Sequence, residues 1–91
     1  MEIDVCGVPH KVIFRDRIGR EDQNYGRYDG KDGRIFIDKE MTPEIRAVTL
    51  VHEWMHGVYE ANGVEHLECH VAVMAAELYR QGFRIKMIKD S

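Results

Sequence analysis

Between Thr42 and Gly63 the chain carries a full set of helix start and stop signals, and these enclose its most constraining pattern. Thr42 suits the N-cap, Pro43 the first helical position, and Glu44 puts a carboxylate in the first turn. Asn62-Gly63 ends the segment, because glycine takes the left-handed C′ conformation without steric cost. A helix is therefore predicted over 43–61. At its middle stands His52-Glu53-Trp54-Met55-His56, the spacing H-E-x-x-H. Histidines at i and i+4 lie one turn apart on one face, so both imidazoles can reach the same ion. The glutamate between them projects to the side, where it can take a proton from a metal-bound water.

A helical wheel at about 100° per residue places these side chains. Ile45, Val48, Met55 and Tyr59 define an inward face. His52 and His56 fall on that face or its edge, and Glu53 sits at its margin. An inward imidazole needs a partner; the alternative to a metal is a hydrogen-bonded pair of core histidines. Trp54 falls opposite, either as a contact for a partner or packed under the N-terminal loop.

A second helix is predicted from about Val64 to Arg80, ending at Gly82. A zinc site needs a third protein ligand and leaves its fourth position to water. The downstream candidates are Glu65, His66, Glu68, Cys69, His70 and Glu77. On the second wheel Leu67, Val71, Met74, Ala75 and Leu78 point inward, with Glu68 at the edge of their arc. His66, His70 and Glu77 come out on the solvent side, and Cys69 also lies away from the core. Glu65 is the nearest rival, in a first turn where carboxylates are favoured anyway. An inward-edge carboxylate without a charged partner is costly, and a divalent ion satisfies it together with the two histidines. Glu68 is the expected third ligand, brought back alongside His52 and His56 by the turn at Asn62-Gly63.

The first half of the chain reads as strands. Glu2–Cys6 alternates apolar and polar residues, Gly7-Val8-Pro9 reads as a turn, and Lys11–Arg15 as a second strand. Arg15–Asn24 is charged and unpatterned, an exposed loop. Tyr25–Asp29 and Arg34–Asp38 flank the hairpin connection Gly30-Lys31-Asp32-Gly33. Phe83–Ile88 is expected as a short strand or a packed tail. The order is α+β: a small N-terminal sheet of three to four short strands, then a helix hairpin. Ninety-one residues make a single domain, 1–91, with a thin core.

Composition excludes several partners. A net charge of −3, from 13 basic and 16 acidic side chains, argues against a phosphate-dominated nucleic-acid binder. No apolar run approaches the roughly 20 residues of a membrane span. The start lacks the pattern of a signal peptide, so a cytoplasmic setting is expected, with Cys6 and Cys69 as free thiols. Oligomeric state is left open.

The segment 34–81 resembles the zincin class of metallopeptidases, and more closely the ImmA/IrrE-type family and its small phage-encoded relatives. The likeness lies in the strand and acidic turn RIFIDKEM, the helix TLVHEWMHGVYEANG, and the second helix ECHVAVMAAELYRQ. In that family the third ligand is a glutamate on the next helix, followed by a periodic run that Val71, Met74, Ala75, Leu78 and Tyr79 match. The resemblance implies a minimal zincin-like domain with zinc on His52, His56 and Glu68, and Glu53 as general base. It implies hydrolysis of peptide bonds in an intracellular protein, in a bacterial or phage setting. The chain is shorter than typical members, and no motif fixes an oxyanion-stabilising residue; Tyr25, Tyr28, Tyr59, Tyr79, His66 and His70 are the candidates. Tyr25-Gly26-Arg27-Tyr28 could line a substrate cleft or simply cover the sheet. The competing expectation is a non-catalytic binding or regulatory protein that keeps zinc for stability.

Overall fold

The computed structural model describes residues 1–16 and 25–89. Five strands and two helices follow in the order β1 (Glu2–Val5), β2 (Val8–Arg15), β3 (Gly26–Asp29), β4 (Arg34–Asp38), α1 (Pro43–Ala61), α2 (Glu68–Arg80) and β5 (Met87–Lys89). The strands form one mixed sheet in the order β3-β4-β2-β1-β5, in which β2 and β4 run parallel and the other neighbours antiparallel. The α+β order expected from the sequence is present, with one strand more than the three to four of an N-terminal sheet. The extra strand is β5, at the end of the segment expected as a short strand or a packed tail, and it returns from the C-terminal side to pair with β1. The first hairpin turns at Cys6-Gly7 rather than over Gly7–Pro9, so β2 starts three residues earlier than its expected bound, at Val8. The expected loop at Arg15–Asn24 lies mostly outside the described residues; Arg15 itself closes β2.

One sheet face is apolar. Ile3, Val5, Val12, Ile35 and Ile37 are buried together beneath Leu50, Trp54 and Val58 of α1. On the other face Phe36 is stacked by the guanidinium groups of Arg15 and Arg27, at 4.6 and 5.2 Å from its ring centre. A second cluster joins the helices: Val51 and Met55 of α1 pack on Val71 and Ala75 of α2. Helix α1 is thus covered on two sides, by the sheet and by α2. That explains why Trp54, placed opposite the inward face on the wheel, is packed. Its ring lies 5.4 Å from that of Phe83, and its indole N–H donates to the Asp4 carbonyl at 3.1 Å. The contacts are with β1 and the segment after α2, not with an N-terminal loop.

Helix α1 has the predicted bounds. Thr42 Oγ1 accepts the Ile45 N–H at 3.2 Å, and Gly63 follows the helix with φ +64°. Helix α2 starts four residues later than its apolar periodicity suggested. Leu67 takes the N-cap position with an extended backbone and supplies no side-chain cap, and residues 64–67 lie outside the helix. Its inward arc is also narrower. Leu67 and Met74 are exposed while Val71 and Ala75 are buried, because α2 rests mainly on α1 alone. No helix of the described residues is long and apolar enough to cross a membrane.

Candidate metal centre

The late start of α2 builds the centre. Glu68 is its first residue, where the helix N-terminus favours a carboxylate, and from there it reaches across to α1. One oxygen, Oε1, meets Nε2 of His52; the other, Oε2, lies 2.7 Å from Nε2 of His56. The two Nε2 atoms are 3.0 Å apart. His52, His56 and Glu68 therefore each offer a ligand atom within 4.8 Å of the others. Nitrogen lone pairs and a carboxylate so close together need a cation among them, a proton or a metal. The donor set suits a divalent ion. All three residues expected as ligands are brought together, and Glu65, Cys69, His70 and Glu77 do not join the group among the described residues.

Glu53 occupies the neighbouring cleft wall. It lies on a stripe of α1, Thr49, Glu53 and Gly57, that faces β3 and is buried throughout. The sequence set Glu53 only at the margin of one face; the structure leaves it 7% exposed. Close approach of helix and strand depends on Gly26. A Cβ there would stand 2.7 Å from Thr49 Cγ2 and 3.1 Å from Glu53 Cγ. In the metal-free chain burial, and secondarily the charge of Glu68, raise the Glu53 carboxyl from 4.5 to about 8. Burial likewise lowers the His56 pKa below 6.5, against the opposing pull of Glu68.

The cleft, of about 640 Å³, runs between β3 and the helices and is lined by Tyr25, Tyr28, His52, Glu53, His56 and Glu68 among others. Tyr25–Tyr28 thus borders the site as well as covering the sheet. Of the candidate oxyanion donors, Tyr25 and Tyr28 reach it. Tyr28 is engaged with a residue whose place the sequence did not reveal, His10, which is buried in β2. His10 Nδ1–H donates to the Val8 carbonyl at 2.9 Å, which leaves Nε2 to accept the Tyr28 hydroxyl at 3.1 Å. Tyr79 lies under the Arg84 guanidinium, and Tyr59 is stacked on His66.

His66 departs from its expected place on a solvent-facing helix surface. It precedes α2 rather than lying on it, and its ring meets the back of His56, with Nε2 2.7 Å from His56 Nδ1. His70, within α2, is exposed, on the solvent side where the wheel places it. Cys6 and Cys69 are exposed free thiols, as expected. Compared with known proteins, the chain matches no family model, no curated protein and no solved structure.

Proposed function

We propose that the protein is a zinc-dependent metallopeptidase of the zincin type, which hydrolyses peptide bonds of an intracellular protein in a bacterial or phage setting. One observation carries this reading: the converging His52, His56 and Glu68 share an open cleft with a buried carboxyl, Glu53, that is not part of the ligand group. A purely structural site would gain nothing from that carboxyl, and no fourth His, Cys, Asp or Glu closes the group among the described residues.

When bound, zinc supplies a water of lowered pKa and polarises the scissile carbonyl. The chain's own groups do the rest. His52, His56 and Glu68 would hold the ion. Glu53, whose raised pKa the charge of a bound ion would lower, would accept the attacking water's proton and deliver it to the leaving amine nitrogen. Strand β3 ends the sheet among the described residues, so its outer edge can align an extended peptide by main-chain hydrogen bonds. Tyr25 and Tyr28 flank that path.

The test is Glu53→Gln, read as zinc content and as cleavage of an unstructured protein such as casein. The variant is expected to keep its zinc and lose at least about 100-fold in rate, the usual scale of a general base. Cleavage at the wild-type rate overturns the role of Glu53. A wild type that binds zinc and cleaves nothing points instead to a zinc-stabilised binding protein.

A further inference from the structure

The hydrogen bonds behind the ligand group form a directed chain. The Val64 carbonyl can only accept, so His66 Nδ1, 3.1 Å away, carries a proton and donates it there. A neutral His66 then presents a bare Nε2. That atom lies 2.7 Å from His56 Nδ1 and accepts its N–H. With its proton committed to Nδ1, neutral His56 is bare at Nε2, the atom that faces Glu68 and His52. Each link fixes the tautomer of the next.

The backbone around His66 is equally determined. Gly63 N–H donates to the Glu60 carbonyl at 3.1 Å and Val64 N–H to the Tyr59 carbonyl at 2.9 Å, which ties the connection to the end of α1. The His66 ring stacks on Tyr59, with centres 4.8 Å apart and planes 24° from parallel. The imidazole is therefore held in place from the backbone and from one face, and its remaining nitrogen is aimed at a ligand histidine.

We propose that His66 is a positioning residue of the metal centre, holding His56 in the tautomer and orientation that present Nε2 to the ion. This rests on the metal-binding reading of His52, His56 and Glu68. Outer partners of ligand histidines typically change metal affinity about 10- to 100-fold when removed. The effect requires an acceptor at the position of His66 Nε2, not merely an aromatic ring. His66→Phe keeps a ring to stack on Tyr59 and removes the acceptor; His66→Gln puts back an amide oxygen.

The experiment titrates zinc against a competing chelator in wild type, His66→Phe and His66→Gln, and records imidazole 15N–1H correlations of the zinc-loaded wild type. Expected are a 10- to 100-fold weaker affinity in His66→Phe, recovery of most of it in His66→Gln, and His56 protonated at Nδ1. Wild-type affinity in His66→Phe, or a loss that Gln does not restore, overturns the positioning role while the metal reading stands. The NMR arm needs no variant, so a His66→Phe chain that fails to fold leaves it decisive: a His56 ring bound through Nδ1 and protonated at Nε2 overturns the proposal. A wild type that binds no zinc overturns both readings.

Discussion

The carboxyl of Glu53 on α1 is buried beside that of Glu68 on α2, and burial together with the Glu68 charge holds its proton up to about pH 8. In the metal-free protein this makes stability depend on pH. Glu53 has a folded pKa above its unfolded value of 4.5, so its contribution is complete below 4.5 and is lost as pH rises towards 8. His56 acts in the opposite sense. Its folded pKa is depressed, so the unfolded chain protonates first and stability falls as pH drops through 6.5. Comparison with Glu53→Gln, which keeps the His56 contribution, separates the two. Urea unfolding with a chelator present should show the variant gaining on wild type from pH 4.5 to 8 and no further above 8. Parallel profiles would show that Glu53 is not held protonated by the fold.

Gly57 lets β1 and β3 close on α1. A Cβ there would lie 2.8 Å from both Tyr28 Cε1 and Val5 Cγ1. Val5 is 2% exposed and cannot withdraw. Gly57→Ala is therefore expected to destabilise by about 1–3 kcal/mol through overpacking, although alanine is the better helix former. The denaturation midpoint checks this; a stabilised variant would mean that helix propensity outweighs the clash.

The N-cap of α1 is a single side-chain contact, Thr42 Oγ1 with the Ile45 N–H. Thr42→Ala should cost about 1 kcal/mol in unfolding free energy, and Thr42→Asp should restore it. Equal stability of all three chains would show that the cap contributes nothing.

Metal binding should register as folding stability, because the ligands come from two helices joined by a turn. Zinc at 100 times its dissociation constant should add about 2.7 kcal/mol to wild type. His56→Ala should respond far less. An equal rise in both proteins would place the zinc elsewhere.

How far the sequence reveals this molecule depends on where local signals decide the structure. Helix α1 was legible to the residue because Thr42-Pro43 and Asn62-Gly63 act through the backbone nearby. The start of α2 was not. Val64–Leu67 continues a helical apolar period, and what holds it outside the helix is tertiary: the bond of His66 to His56, with Val64 N–H turned back to Tyr59. The convergence of His52, His56 and Glu68 was readable because i, i+4 spacing and a one-sided apolar arc are local properties. The depth of Glu53 was not, because a single-face wheel cannot represent a helix covered on two sides. Its signal was present as the spacing Thr49, Glu53, Gly57, four residues apart and ending in a glycine. Strand β5 falls at the end of the segment expected as a short strand or a packed tail, and only its pairing with β1, far away in sequence, decides between the two.

The metal centre proposed here rests on His52, His56 and Glu68 holding a divalent ion. Metal content and X-ray absorption of the purified protein, beside Glu68→Ala, test it most directly. About one zinc per chain in a nitrogen and oxygen environment is expected, lost or clearly weakened in the variant. A folded wild type that contains no metal and takes up none on addition would contradict it, and would return the two histidines to a hydrogen-bonded pair.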